Sequence, residues 1–163
     1  MPDYLKNKVV AAIIEAHPYE EVAYDIYTLV NEHPRIGAGL IGELKTPLDE
    51  IQMLKKIKTN LKAECIRHTK FINKKIEKVA LCGGSGSFLL KNAIAAGADI
   101  FITSDFKYHQ FFDAENRIII ADIGHYESER FTIELLRDVL IKNFPTFAVH
   151  FTEVYTNPIN YYF

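Results

Sequence analysis

The sequence predicts an α/β (α+β) fold in two parts, the second built on a mainly parallel sheet. Three observations carry that prediction. From about residue 75 on, short apolar runs rich in β-branched residues alternate with stretches of helical periodicity, the pattern of strand–helix–strand units. One of those runs, residues 117–123, is strongly apolar, as a strand buried on both faces must be. Upstream, lysines clustered between Lys70 and Lys78 around Phe71, Ile72 and Ile76 mark a change of pattern. They set the expected division at residues 1–72 and 73–163.

Each element has a local reason. Over residues 4–16, Leu5, Val9, Ala12, Ile13 and Ala16 fall on one helical face. His17-Pro18 stops that helix, because a residue before proline is pushed out of the helical region. Residues 22–29 are β-branched and aromatic and read as a strand. Gly37, Gly39 and Gly42 suit a loop followed by a short strand, and His33-Pro34 suits a loop. Residues 47–58 read as a helix with Thr46 as cap, Pro47 in the first position and Leu48, Ile51, Leu54 and Ile57 as its stripe. Residues 63–69 read as a strand. Then come a strand at 78–82, a helix at 85–96 closed by Gly97, a strand at 99–103 and a short helix at 108–115. After the strand at 117–123, a helix at 126–143 carries Phe131, Leu135, Leu136, Val139 and Leu140 inward, and a last strand spans 147–155.

Composition excludes several classes of function. With 163 residues, 48 % of them hydrophobic and 25 % charged, the chain has the make-up of one ordinary domain or two small ones, not of a disordered protein. A net charge of −2 from 19 basic and 21 acidic residues supplies no basic excess to hold a phosphate backbone, so nucleic acid is an unlikely partner. No apolar run is long enough to cross a bilayer, and no basic-then-apolar leader opens the chain. Cys65 and Cys82 form neither a disulfide framework nor a zinc-ribbon spacing. A reduced, cytoplasmic protein is expected.

The chemistry-bearing residues gather where strands give way to helices, the edge at which open α/β sheets bind ligands. His125 and Glu129 are four apart, and a helix starting near His125 sets both on one face. An imidazole with a carboxylate suits a divalent Zn, Mn, Fe or Ni ion better than Ca. The same two residues also fit a strand end and a solvated helix surface. Asp105, Lys107 and His109 emerge from the preceding strand end, where Asp105 could act as a general base, orient a metal ligand or cap a helix. Cys82-Gly83-Gly84-Ser85-Gly86-Ser87 fits a tight strand-to-helix turn; it lacks the third glycine of a dinucleotide site and the Walker lysine. Cys82 reads as a small buried hydrophobe.

Taken in order, His17-Pro18-Tyr19-Glu20-Glu21 with Ala23-Tyr24-Asp25-Ile26-Tyr27, the Cys82–Gly86 turn, the stretch from Thr103-Ser104-Asp105 to His109, that from Gly124-His125-Tyr126 to Glu129, and Thr156-Asn157-Pro158 resemble the Nif-three-like family, often described as a type 2 homolog of GTP cyclohydrolase I. The resemblance implies two related α/β halves sharing a dinuclear metal centre, an inserted ferredoxin-like domain similar to PII and CutA, and toroidal hexamers. It places residues 1–72 on the later part of the insert and 73–163 on the second half. It implies that His125 and Glu129 are metal ligands and that Asp105 and His109 line the same cleft, with Gly common in the family where Ser104 stands. The half that would supply the other ligands has no counterpart in the sequence. The function expected from the resemblance is that of a divalent-metal-binding protein and candidate metal-dependent hydrolase that self-associates and takes a small-molecule or nucleotide ligand. The alternatives are a non-enzymatic oligomeric assembly or regulatory module, or an inactive truncated fragment.

Overall fold

Three β-branched runs form the centre of the sheet: β3 (Ile76–Ser85), β4 (Ile100–Ser104) and β5 (Ile119–Asp122). The computed structural model describes residues 1–28 and 36–162. Two further strands, β1 (Leu40–Leu48) and β2 (Arg67–His68), complete the sheet in the order β1-β3-β4-β5-β2. The central pairs β3–β4 and β4–β5 are parallel, and the edge strands β1 and β2 run antiparallel to β3 and β5. The fold class is therefore α/β with a mixed five-stranded sheet whose parallel part is its core. Every residue of β4 and β5 is buried, which explains why their sequences are apolar without alternation.

Alternation along β4 serves two layers at once. Ile100 and Ile102 point into one core with Ile76, Val79, Ile119, Ala121 and Ile123, which α2 (Glu50–Leu61) covers with Met53 and Ile57. Phe101 points into the other with Ala80, Ile118 and Ile120, which α3 (Leu90–Ala95) covers with Leu90 and Ala93. Burying each of these larger side chains is worth about 1.5–3 kcal/mol.

The chain divides into two compact units, one before residue 36 and one from Ile36 on. β1, α2 and β2 precede residue 72, and β1 and β2 pair directly with β3 and β5. In the first unit a 3-10 turn (Asp3–Leu5) leads into α1 (Lys6–Ala16), and His17 ends it in an extended conformation, as the following proline requires. Residues 22–28 do not form the expected strand. A β-branched run becomes a strand only when a neighbour completes its ladder, and no described residue pairs with this one. Leu29 and the loop expected at His33 and Pro34 lie outside the described residues.

Other expectations shift for identifiable reasons. α2 is capped by Asp49, whose side chain accepts from Gln52 N at 2.7 Å while the Gln52 side chain accepts from Asp49 N at 3.1 Å. That reciprocal box prevails over Thr46, and Pro47 stays in the edge strand β1, where a missing N–H is tolerated. The helix expected at 85–96 begins as a 3-10 turn (Ser87–Leu89) before α3, and that at 108–115 is a 3-10 helix (Tyr108–Ala114). The long helix expected at 126–143 is two: α4 (His125–Glu129) and α5 (Thr132–Asn143). Leu135, Leu136, Val139 and Leu140 of α5 are exposed rather than inward, because helical periodicity shows that an apolar face exists but not that anything covers it. Residues 147–155 form no strand, again without a pairing partner among the described residues.

Candidate functional site

The parallel strands deliver their carboxyl ends side by side, and the site assembles there. β5 ends at Asp122, the chain turns through Gly124 at φ +93°, and α4 starts on His125. The four-residue spacing then sets His125 Nε2 3.2 Å from Glu129 Oε2. β4 ends at Ser104, and Asp105 follows in the left-handed region at φ +60°, which for a non-glycine residue is uncommon and locally strained. That turn brings Asp105 Oδ2 to 2.5 Å from His125 Nδ1. Both ring nitrogens of His125 therefore face carboxylates. The hydrogen bond to Asp105 raises the His125 pKa above the ordinary imidazole value; partial burial works against this, and the charges of Asp105 and Glu129 add to it. All three side chains are about half exposed, at 44 % to 51 %.

The third wall comes from β3. Between the pairs Leu81–Ile102 and Ser85–Ser104, three residues of β3 (Cys82, Gly83 and Gly84) lie opposite the single Thr103, so the ladder bulges. Gly84 sits at φ +62°, and a β-carbon there would collide with Glu129 Oε1 and stand 3.3 Å from His125 Cε1. Its N–H donates to Ser128 Oγ at 2.8 Å, that hydroxyl donates to the His125 carbonyl at 2.8 Å, and Thr103 Oγ1 donates to the Gly84 carbonyl at 3.0 Å. Gly84 and Ser128 are the residues that the sequence reading did not single out as part of a site. The Gly-Gly pair at a strand end was the available signal, but it read as a turn.

The structure thus brings together His125, Glu129 and Asp105. His109 is not part of that group: it is exposed on the 3-10 helix, and its ring packs edge-on against Tyr108, with centroids 5.2 Å apart. Ser104 is fully buried in β4, and its hydroxyl has no hydrogen-bond partner among the described residues. Cys82 is buried, and burial pushes its thiol pKa up, which fits an unreactive core position. Among the described residues, no group of three or more His, Cys, Asp or Glu side chains is arranged to hold a metal ion. No helix among them is long and apolar enough to cross a membrane.

Comparison with known proteins gives one consistent picture. The family model described as Duf34/NIF3 (NGG1p interacting factor 3) matches residues 5–158. A Halalkalibacterium halodurans protein named GTP cyclohydrolase 1 type 2 homolog is 40 % identical over 121 residues, covering 74 % of this chain and 32 % of its own length. A Staphylococcus epidermidis protein of the same name is 32 % identical over 154 residues, covering 92 % and 42 %. Among solved structures, a Bacillus cereus protein related to NIF3 aligns with a TM-score of 0.70 at 31 % identity, over 99 % of this chain and 46 % of that one. A Staphylococcus aureus protein aligns with a TM-score of 0.79 at 28 % identity, over 99 % and 54 %. The chain spans roughly a third to a half of the length of these relatives.

Proposed function

The chain belongs to the Duf34/NIF3 family, and on that premise we propose that it contributes half of a divalent-metal centre, with His125 and Glu129 as ligands and Asp105 orienting His125. The observation that carries the reading is the paired use of the imidazole. Metal-binding histidines commonly donate their second ring N–H to a carboxylate, which fixes the tautomer and raises ligand basicity. Asp105 stands in that relation to Nδ1 and leaves Nε2 directed at Glu129. Two ligand bonds of zinc length in a tetrahedral arrangement hold their donor atoms about 3.3 Å apart. The 3.2 Å between Nε2 and Oε2 fits that span.

Two donor atoms make a weak site, so the remaining ligands must come from outside this set. A completed centre would supply Lewis-acid chemistry, activating water for hydrolysis of a small-molecule or nucleotide substrate. In this proposal Asp105 is occupied with His125, and His109, exposed on the following segment, serves substrate rather than metal. The exposed apolar residues of α5 support self-association as the setting in which a half-site works.

Calorimetric titration with Zn²⁺ and Mn²⁺ tests the proposal. The chain should bind weakly, His125→Ala and Glu129→Gln should abolish binding, and Asp105→Ala should weaken it by about 10–100-fold, the usual cost of losing a carboxylate behind a ligand histidine. No binding by the wild type, or equal binding by His125→Ala, refutes it.

A further inference from the structure

A single buried carboxylate ties together the two turns that carry Asp105 and His125. Asp122, the last residue of β5, is 4 % exposed. An ionised side chain in such a place must be paired and fully hydrogen-bonded. Its Oδ2 accepts from Phe106 N at 2.9 Å and from the Arg67 guanidinium, and its Oδ1 accepts from Gly124 N at 3.2 Å. Phe106 directly follows Asp105, and Gly124 directly precedes His125. Arg67 stands opposite Asp122 in the β2–β5 ladder and also donates to the Phe106 carbonyl at 3.0 Å. The two peptide groups on either side of Phe106, the first of them shared with Asp105, are thus held from one side.

We infer that Asp122 is a positioning residue that sets Asp105 against His125 Nδ1. It acts through the backbone amides of the neighbouring residues, Phe106 and Gly124. The clamp is needed because the pair cannot fix its own geometry. Asp105 and His125 are each about half exposed, and exposed pairs of this kind hold little structure by themselves. Asp105 also sits in a left-handed conformation that it would leave if released. A carboxylate is required because three donors converge on its two oxygens. An asparagine would turn an N–H₂ toward one of them and leave Gly124 N or Phe106 N unpaired.

The inference concerns the Asp105–His125 pair and stands apart from metal binding, so its test uses the metal-free chain. Nitrogen-15 NMR at alkaline pH, where the ring is neutral, reads which nitrogen of His125 carries the proton. In the wild type it should be Nδ1, facing Asp105. Asp122→Asn should lose that form in favour of the Nε2–H tautomer preferred by free histidine. Asp99→Asn is the control, since it removes another buried carboxylate, just before the far end of β4, and should leave the tautomer unchanged while lowering stability. Where Asp122→Asn fails to unfold cooperatively, Arg67→Lys carries the test, keeping the charge but withdrawing, on a shorter side chain, the Nη2 that donates to both Asp122 and the Phe106 carbonyl, with the same shift expected. An unchanged tautomer in a folded Asp122→Asn or Arg67→Lys chain overturns the inference, as does an equal shift in Asp99→Asn. A wild-type ring already in the Nε2–H form removes the pairing on which it stands.

Discussion

Replacing Gly84 with alanine separates two effects that meet at this residue. The first is backbone strain. At φ +62° an alanine gives up about 1–2 kcal/mol relative to its preferred conformations. The second is contact. The new β-carbon would collide with Glu129 Oε1 and press on His125 Cε1 at 3.3 Å. Glu129 is a flexible side chain, 51 % exposed, so it can swing away at little cost in stability. The loss of stability is then set by the backbone, and for a chain of this size about 1–2 kcal/mol lowers the melting temperature by roughly 2–8 °C. The swing, however, removes Glu129 from its place beside His125 Nε2, so metal affinity should fall by more than about tenfold, a larger effect than strain alone accounts for. Gly97→Ala is the matched control: it sits at φ +72° with nothing within 4 Å of the added atom. Both variants should lose similar stability in thermal unfolding, and only Gly84→Ala should lose affinity in calorimetry. Equal affinities for the two variants refute the contact argument. A Gly84→Ala chain as stable as the wild type refutes the strain argument.

Three further outcomes are expected. Burial pushes the Asp99 carboxyl upward, but the Lys74 ammonium at 2.6 Å and the N–H groups of Lys78 and Glu77, each at 2.8 Å, outweigh it and hold the pKa below the usual carboxylate value. Stability from a depressed carboxyl is present above its unfolded pKa and lost as pH falls through the folded one, so Asp99→Asn should cost about 1.5–3 kcal/mol at neutral pH, with the gap closing in acid on urea unfolding curves. Phe101→Ala empties a 1 % exposed position packed edge-on against Phe106, with centroids 6.3 Å apart, and should cost about 3–5 kcal/mol by denaturant unfolding. Leu136→Glu and Val139→Glu, on a helix with no buried residue, should each change stability by less than about 0.5 kcal/mol while lowering the mass seen by light scattering.

What the sequence made legible, and what it did not, follows from how local each feature is. β4 and β5 were readable because a strand buried on both faces needs an apolar run and little else, and the observed strands lie within two residues of the expected bounds. α2 was readable as a helix, but its start was not, because Thr46-Pro47 and Asp49 offer rival caps and only the Gln52 partner decides between them. The runs at 22–28 and 147–155 have strand composition, yet a ladder is a property of two segments, and one segment cannot report the absence of the other. The inward face assigned to α5 failed for the same reason. At the site, His125 and Glu129 were visible through a spacing that any helix converts into proximity. Asp105 was visible as a polar group at a strand end and through the family resemblance, but its hydrogen bond to His125, twenty residues on, was not, since it depends on the left-handed turn at Asp105 itself. Gly84 was hidden further still, because its role arises from a register shift between two strands.

That shift explains why this fold makes a site here at all. β3, β4 and β5 are adjacent and parallel, so their carboxyl ends finish together, and each contributes one wall: Gly84 from β3, Asp105 from the turn after β4, and His125 from the helix after β5. A regular ladder would carry β3 past the others with a side chain at every step. Placing three of its residues against Thr103 instead slackens the strand where α4 crosses it, and glycine at the crossing admits the Glu129 carboxylate. The hydroxyl of Thr103 then secures the slackened strand through the Gly84 carbonyl, and Ser128 secures the helix through the Gly84 amide. The bulge, the two left-handed turns and the short helix are local departures from ideal geometry, and together they bring a histidine between two carboxylates at the edge of an otherwise regular sheet.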